Sequence, residues 1–494
     1  MSARAAPPLL ESVRGLLGEA VEAYAGVPAA RERLRAVLDR LDEPLRVAIA
    51  GKVKAGKSTL LNALVGEELA PTDAGECTRI VTWYRDGLTY RVTLEPHDGP
   101  ARPVPFDREG GAIAVDLGGA DAADVRRLVI EWPSSSLRQM TLIDTPGIAS
   151  LSPDVSERTT AFLTPGEDQV TPADAVLYLM RHLHTSDINF LEAFHDEEFS
   201  QATPVNAVGV LSRADEVGVG RIDSMASAQR IAARYRRDPK VRRLAQTVVP
   251  VAGLLAQSGT TLRESEYKAL DAIAGAPRDE AEALFLSADR FVQAATAIPL
   301  TPMERERLLD RFGLFGVRLA VALIRQGAAT TATALATELV RRSGLVELRD
   351  VLLSQFAERR DVLKARSALL ALEDVLHEWP VSAGEQLASE LERITAAAHE
   401  FAEIRLLNAL RGGGITARQA ELAEMERLLG NEGSALHIRL GLTAEADMSE
   451  LRRALQNAIG RWQRRAESPM SSREVADASR VVIRTCEGLL VSLG

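Results

Sequence analysis

The sequence predicts an α/β domain with a doubly wound, mostly parallel sheet, joined to a bundle of α-helices built from both ends of the chain. From residue 45 to about 255, short apolar runs alternate with helical segments, which is the pattern of such a sheet. Residues 9–42 and the chain beyond about 280 instead repeat their apolar residues at helical spacing. Aromatic residues make up only 4% of the 494 residues, while Ala, Leu and Arg are abundant, which also favours helices.

Breaks in this pattern divide the chain into three predicted parts. Residues 1–43 contain the leading helices, and Pro44 ends them because the residue before a proline avoids the helical conformation. Residues 44–345 form the α/β domain, with a strand-rich insert over 88–132. Residues 346–494 are punctuated by Gly and Pro into helices that suit an antiparallel bundle.

The strands of the sheet are predicted from apolar runs bounded by turn residues. The predicted buried strands are Leu45–Ala50, Thr141–Ile143, Ala175–Met180, Val205–Leu211 and Val248–Val251.

Composition excludes several classes of function. The net charge of −10 gives a nucleic-acid partner no electrostatic support. With two cysteines and no disulfide framework, we expect a reducing compartment. No signal pattern and no run of about 18 apolar residues is found, so we expect a cytoplasmic protein whose membrane contact, if any, is peripheral.

The most informative segment is Gly51-Lys52-Val53-Lys54-Ala55-Gly56-Lys57-Ser58, which fits the pattern G-x-x-x-x-G-K-[ST] and holds three of the six lysines. It lies between a predicted strand and a predicted helix, so backbone N–H groups and the helix N-terminus point at a phosphate. We expect Gly51 and Gly56 to let the backbone bend around the phosphates, Lys57 to reach the β- and γ-phosphates, and Ser58 to bind Mg²⁺. The predicted nucleotide-binding residues in this segment are Gly51, Val53, Lys54, Ala55, Gly56, Lys57, Ser58 and Thr59.

Further candidates for a phosphate and metal site follow along the chain. Asp144 and Gly147, in Asp144-Thr145-Pro146-Gly147 at a strand end, are expected to meet Mg²⁺ through water and to sense the γ-phosphate. A threonine that closes over the γ-phosphate and binds Mg²⁺ is also expected, and Thr72, Thr78 and Thr82 are the candidates.

The base is predicted from Ser212-Arg213-Ala214-Asp215, directly after a predicted strand. The Asp215 carboxylate can accept hydrogen bonds from N1–H and the exocyclic amine of guanine, and it would reject adenine. Ser212 and Arg213 depart from the usual [NT]-K-x-D pattern, but an arginine stem or plane can still cover a purine. We therefore expect GTP and GDP rather than ATP, with Val251-Ala252-Gly253 placed for the last base-contacting loop.

Together these motifs resemble the dynamin-like GTPases, and in detail the isoniazid-inducible dynamin-like proteins of mycobacteria. The resemblance covers most of the chain and rests on the following segments: Ala50–Leu64, Thr78–Trp83, Asp144–Gly147, Ser212–Glu216 and Arg311–Gly313. In this family the threonine lies about twenty residues after the lysine of the phosphate-binding segment and precedes an arginine. Thr78-Arg79 matches, so the resemblance assigns that role to Thr78.

The resemblance implies a mechanism and partners. A GTPase head with catalytic Lys57 and Thr78 would pair with a second head, of the same chain or a sister dynamin-like protein. Hydrolysis would then swing a neck made of N- and C-terminal helices, and the stalk would remodel an anionic membrane from the inner face of the cell membrane. The family also implies a role in tolerance of cell-wall drugs. The alternative is a regulatory or scaffolding GTPase that acts on a protein partner without membrane work.

Lys54 departs from the eukaryotic dynamins, which carry Gln and Ser at the positions of Val53 and Lys54. One interpretation is that the Lys54 ammonium stabilises charge on the β–γ bridge, as an arginine finger does. The other is a solvated lysine beside an anionic ligand.

Two apolar segments are candidates for lipid contact. Phe312–Ile324 is too short to span a bilayer and is expected to be a buried helix. Around the helix break at Gly412–Gly414, Leu410 and Ile415 lie beside Arg411, which suits an anionic surface if the break forms a tip. The alternative for the break is a turn between helices whose leucines belong to the core.

Overall fold

The computed structural model of the chain describes residues 8–71, 80–109, 112–146, 173–183, 187–188, 207–218, 221–357 and 359–493. The strands are β1 Leu45–Gly51, β2 Thr82–Arg85, β3 Arg91–Pro96, β4 Arg102–Pro103, β5 Phe106–Glu109, β6 Ala112–Val115, β7 Val125–Glu131, β8 Met140–Asp144, β9 Ala175–Met180, β10 Ala207–Ser212 and β11 Thr247–Val251. The helices up to the end of the α/β domain are α1 Leu9–Ala23, α2 Pro28–Arg40, α3 Lys57–Val65, α4 Ser224–Arg237, α5 Pro239–Leu244, α6 Gly253–Thr260, α7 Glu264–Gly275, α8 Arg278–Leu284, α9 Ala288–Gln293, α10 Pro302–Arg325, α11 Ala332–Arg342 and α12 Leu345–Val351. The remaining helices are α13 Arg360–Glu378, α14 Gly384–Ala397, α15 His399–Gly412, α16 Gln419–Leu428, α17 Leu436–Leu440, α18 Met448–Glu467 and α19 Arg473–Ser492.

A nine-stranded sheet forms the centre of the α/β domain, in the order β11-β10-β9-β1-β8-β2-β7-β3-β4. The five strands from β11 to β8 all run parallel, and antiparallel pairs occur only beyond β8, where β2 meets β8 and β3 meets β7 and β4 among the described residues. The predicted doubly wound, mostly parallel sheet is therefore confirmed. The predicted strand-rich insert supplies β3–β7.

Apolar side chains cover both faces of the sheet, as the uninterrupted apolar runs of the parallel strands require. One face packs on α3 and α12, with Leu60, Leu61 and Leu348 fully buried. The opposite face packs on α4 and α5. Since Leu345 and Leu348 belong to the core of the sheet, packing continues past the domain boundary predicted at residue 345.

A separate helical core, formed by α6–α11, lies within the predicted α/β range. Its longest helix, α10, is capped at its N-terminus by Thr301. The Thr301 hydroxyl accepts from the N–H of Glu304, and the Glu304 carboxylate accepts from the N–H of Thr301. The chain kinks at Gly313, where φ is +62°. Phe312, Phe315 and most residues from Gly316 to Leu323 are buried, which confirms the expectation of a buried helix.

The leading helices join helices that come much later in the chain. α1 and α2 pack on α13 and α14 around Leu16, Leu34 and Leu372. The Tyr24 hydroxyl donates to the Trp379 carbonyl oxygen at 2.8 Å. We call this unit the first helical bundle, and it confirms that N-terminal and C-terminal helices share one bundle.

The second helical bundle, α15–α19, has its own core, in which α18 and α19 form a long antiparallel hairpin. Leu410 and Ile415 belong to this core, with 4% and 7% of their surface exposed. The prediction that these two side chains contact lipid is therefore wrong for this structure.

The helix break at Gly412–Gly414 also does not form a tip. The Arg411 guanidinium donates to the carbonyl oxygens of Arg242, at 2.9 Å, and Ala245, at 2.6 Å, at the end of α5. The break thus packs against the α/β domain, and Arg411 caps a helix C-terminus there. No described helix is long and apolar enough to cross a membrane.

Candidate nucleotide-binding site

The carboxyl ends of β1, β8, β9 and β10 meet at one edge of the sheet, where open α/β sheets bind ligands. Gly51 ends β1 and pairs with Leu179 of β9. A Cβ atom on Gly51 would lie 2.6 Å from the Leu179 carbonyl oxygen, so only glycine allows β1 and β9 to approach this closely. The phosphate-binding loop, Gly51–Ser58, begins at this point.

Within the phosphate-binding loop, Gly56 adopts the left-handed conformation (φ +94°) and caps the N-terminus of α3. Lys57 is the first residue of α3, and its ammonium donates to the carbonyl oxygens of Gly51 (3.3 Å) and Lys52 (3.5 Å). Burial lowers the pKa of Lys57, while the charge of Asp144 opposes that shift. The lysine therefore lies inside the loop, where a phosphate oxygen would replace the backbone carbonyls as its partner.

Asp144 and Ser58 form the predicted metal site. The Ser58 hydroxyl donates to Asp144 Oδ2 at 3.3 Å, and burial raises the pKa of Asp144 to about 6 although Lys57 and Ser58 act in the other direction. Asp144 Oδ1 is buried and has no hydrogen-bond partner among the described residues. A hydroxyl and a carboxylate with a spare oxygen are the hard ligands that Mg²⁺ prefers, so these residues fit the ion.

A cavity of about 110 Å³ lies beside the loop, where the sequence predicts the base. Asp215 lies on its wall in a short 3₁₀ helix, Ala214–Glu216, and is largely buried, which raises the pKa of its carboxyl group. The Ser212 hydroxyl in the same wall is buried without a partner in the described part of the chain. A buried hydroxyl without a partner and a buried carboxylate in one small cavity suit a ligand that supplies hydrogen-bond donors. The remaining lining residues are Ala55, Gly56, Thr59, Leu60, Leu179, Val210, Arg213, Glu216, Val251, Gly253 and Leu254.

Arg213 joins the base cavity to the phosphate-binding loop. Its guanidinium donates to the Lys54 carbonyl oxygen at 3.1 Å and to Glu216 Oε1 at 2.6 Å. Lys54 and Arg213 are also the non-glycine residues of the described chain with positive φ, at 61° and 53°. Strained backbone of this kind concentrates at functional sites. The arginine that replaces the usual lysine thus holds the loop at Lys54.

The structure brings together most of the predicted site but not all of it. Val53 and Lys54 are exposed on the phosphate-binding loop. Thr78 and Gly147, together with the candidate Thr72, lie outside the described residues. Thr82 is buried in β2, where its hydroxyl donates to the Ile80 carbonyl oxygen.

Sequence reasoning missed one residue of this site. Asp187 is buried and its carboxylate lies 3.1 Å from the Lys52 ammonium of the phosphate-binding loop. No spacing in the sequence signals the contact, because the two residues lie far apart in the chain and only the folded sheet brings them together.

Comparison with known proteins agrees with these observations. A sequence profile described as "Dynamin family" matches residues 47–212. The isoniazid-induced protein IniC of Mycobacterium tuberculosis is 42% identical over 486 residues, which cover 97% of this chain and 98% of that protein. The isoniazid-induced protein IniA of the same species is 28% identical over 48% of this chain and 35% of its own length.

Two further similarities are weaker, because one covers a shorter segment and the other has a lower sequence identity. The bacterial dynamin-like protein of Nostoc punctiforme is 33% identical over 21% of this chain and 16% of its own length. A solved structure described as "An oligomerised bacterial dynamin pair provides a mechanism for the long range sensing and tethering of membranes" aligns with all of this chain and 77% of that chain. Its TM-score is 0.36 and its sequence identity 12%. The family assignment rests on the sequence matches.

Proposed function

Because this chain belongs to the bacterial dynamin-like GTPases, with IniC as a relative along its whole length, we propose that it hydrolyses GTP and uses the energy to remodel a membrane. The proposal has three parts: nucleotide chemistry at the phosphate-binding loop, transmission to the helical bundles, and contact with lipid. Each part is supported by different residues.

For the nucleotide chemistry, Lys57 and the N-terminus of α3 would bind the β- and γ-phosphates, and Asp215 would accept the two N–H donors of guanine. Ser58 directly, and Asp144 through water, would hold Mg²⁺, which when bound neutralises charge on the β- and γ-phosphates. Thr78 and Gly147 keep their predicted roles at the γ-phosphate. Lys54 keeps its proposed role as a cation for charge on the β–γ bridge.

The observation that carries the mechanical part is that the nucleotide elements are bound directly to helices that continue into the first bundle. Lys364 of α13 is buried, and its ammonium donates to the carbonyl oxygens of Arg40 (2.8 Å) and Leu41 (3.0 Å), in the turn that leads into β1. Arg349 of α12 donates to the carbonyl oxygens of Ala63 (2.9 Å) and Leu64 (3.2 Å), at the end of α3. A movement of β1 or α3 on hydrolysis would therefore move the bundle.

For lipid contact, we propose Met470 as the candidate residue, because the earlier candidates Leu410 and Ile415 are buried. It lies in the turn between α18 and α19, at one end of the hairpin, and is 89% exposed. The exposed charged residues beside it have both signs: Arg464 and Arg473 are positive, and Glu467 and Glu474 are negative. Insertion of the methionine side chain would therefore contribute more to membrane binding than electrostatic attraction would. Several weak insertions add up when subunits assemble.

The partner of the GTPase domain would be a second copy of this chain or a sister dynamin-like protein. This choice is supported by the similarity of this one chain to two different proteins of the same species, IniC and IniA. The site of action would be the inner face of the cell membrane. We also propose a contribution to tolerance of cell-wall drugs, which is in keeping with relatives named as isoniazid-induced proteins. Deletion of the gene would then increase sensitivity to such drugs.

The decisive experiment is GTP turnover across a range of protein concentrations, with and without anionic liposomes, beside Lys57→Ala. Turnover that rises with protein concentration and with lipid, and that is lost in the variant, supports a membrane GTPase activated by pairing. Slow turnover that responds to neither would overturn the membrane proposal and favour a regulatory or scaffolding GTPase.

The lipid contact has its own test. Met470→Asp should reduce sedimentation with anionic liposomes several-fold and leave turnover without lipid unchanged. Met448→Asp is a matched control, because Met448 is also exposed but lies at the start of α18, near the other end of the hairpin. Equal sedimentation of both variants and the wild type would reject Met470 as the contact.

A further inference from the structure

Lys52 is the second residue of the phosphate-binding loop, and its side chain forms a salt bridge with a carboxylate outside the loop. Its ammonium lies 3.1 Å from Asp187 Oδ1, and the Asp187 side chain is only 2% exposed. The Tyr178 hydroxyl donates to the same oxygen at 2.8 Å, within the core. A cation and a hydroxyl together compensate the loss of solvation that burial imposes on the Asp187 side chain.

The sheet explains why these three groups meet. Tyr178 belongs to β9 and pairs in register with Ala50 of β1, the residue before the phosphate-binding loop. Its ring is fully buried among apolar side chains of that face of the sheet, so its hydroxyl has a fixed position. Asp187 follows β9 in sequence and is placed over the loop by this hydroxyl.

Lys52 also takes part in the internal hydrogen bonds of the loop. Its carbonyl oxygen accepts from the N–H of Ala55 at 3.1 Å, which closes the turn, and from the Lys57 ammonium at 3.5 Å. A side chain anchored at Asp187 therefore fixes a carbonyl that orients both the turn and the phosphate-binding lysine. Preorganised N–H donors bind a phosphate more tightly than a loop that must first be ordered.

We propose that Asp187, oriented by Tyr178, is a positioning residue. Through Lys52 it holds the phosphate-binding loop in the conformation that binds phosphate. The inference rests on the proposed nucleotide-binding function and adds to it a residue outside every predicted motif. Because the anchor orders the loop for any bound phosphates, it contributes equally to GTP and GDP binding. Uniform binding of this kind changes KM and leaves kcat nearly unchanged.

A different role for Lys52 would give the opposite result. If Lys52 served mainly to attract phosphate, Asp187 would compete with the nucleotide for its ammonium. Asp187→Asn would then release the lysine and tighten nucleotide binding. Under the positioning role, the same substitution loosens the loop and weakens binding.

The test is a double-mutant cycle on the affinity for fluorescent GDP, with Lys52→Met, Asp187→Asn and the double variant in the full-length chain. Each single variant should weaken GDP binding about tenfold, and the double variant should be no weaker than the worse single variant, because both remove one interaction. KM for GTP should rise by the same factor while kcat changes less than threefold. Lys52→Arg should restore most of the affinity, and Lys240→Ala, which removes an exposed lysine of α5, should have no effect.

Several outcomes would overturn the inference. These are tighter binding by Asp187→Asn, losses that multiply in the double variant, or a fall in kcat without a change in KM. Should Asp187→Asn fail to fold, Tyr178→Phe tests the same anchor, with a smaller loss of affinity that disappears in the Lys52→Met background. A wild-type protein that binds neither GDP nor GTP would instead refute the proposed function itself.

Discussion

Replacing Asp144 with asparagine is expected to stabilise the nucleotide-free protein at neutral pH and to abolish its stabilisation by Mg²⁺ with nucleotide. Asp144 Oδ1 is buried without a hydrogen-bond partner among the described residues, and loss of solvation raises the pKa of the carboxyl group from 3.8 to about 6. At neutral pH the folded protein must therefore hold a charge that the unfolded chain exposes to water. A Mg²⁺ ion at the proposed metal site would offset this cost.

The size of the effect follows from the pKa. Each pKa unit corresponds to about 1.4 kcal/mol, so the rise from 3.8 to about 6 lowers the free energy of unfolding by about 3 kcal/mol at pH 7. Asparagine removes the charge but brings an amide with two donors, of which one can reach the Ser58 hydroxyl. An unsatisfied N–H costs about 1 kcal/mol, which leaves a net gain of about 2 kcal/mol.

The dependence on pH gives this effect a signature. Below pH 3.8 the carboxyl group is protonated in both the folded and the unfolded state, so it imposes no penalty. As pH rises from about 4 to about 6, the unfolded chain ionises first and the wild type loses stability relative to the variant, by about 1.4 kcal/mol per pH unit. Above that window the difference should stay constant.

Urea unfolding of both proteins, at several pH values and without nucleotide or metal, measures this difference. With GDP and Mg²⁺ the order should reverse, because only the wild type retains the carboxylate that meets the ion. A variant that is less stable than the wild type at every pH without ligand, or a difference that does not vary between pH 4 and 6, would refute the argument from burial.

Three further substitutions test the site and the bundle. Lys54→Ala should lower kcat at least tenfold while GTP affinity changes less than threefold, since a cation on the β–γ bridge acts mainly in the transition state; equal losses in both would reject a catalytic role. Asp215→Asn should lower GTP affinity at least 100-fold and improve binding of xanthosine triphosphate, whose O2 can accept from the amide; nucleotide competition measures both. Leu410→Asp, as a buried charge, should unfold the second bundle, seen as a lost thermal transition, whereas a lipid-facing Leu410 would leave stability unchanged.

Several features were predictable from the sequence because each depends on neighbours along the chain. The phosphate-binding loop needs a strand, two glycines and a helix in succession, while Asp144 ends one strand and Asp215 lies three residues after another. The carboxyl ends of parallel strands lie at one edge of the sheet, so these segments had to converge. The sheet itself was predictable from apolar runs of strand length, and Ala175–Met180 was predicted with its observed bounds.

The exact positions of strands were less predictable than their existence. β8 runs from Met140 to Asp144, one residue beyond the predicted strand at each end, and β1 extends one residue further than predicted, to Gly51. Strand ends depend on where a neighbouring strand stops supplying hydrogen bonds, which the apolar pattern does not record.

The fold class, the phosphate-binding loop and the expectation of guanine could be derived from the sequence, because each depends on local backbone geometry and short-range chemistry. Which apolar residues face a core depends on how the helices pack. Leu410 and Ile415 have the pattern of either a core or a tip, and packing against the α/β domain at Arg411 places them inside. Tertiary packing also joins Asp187 to Lys52 and Arg213 to Lys54. A sequence shows that a side chain is charged or apolar, but its partner is set by how distant segments pack.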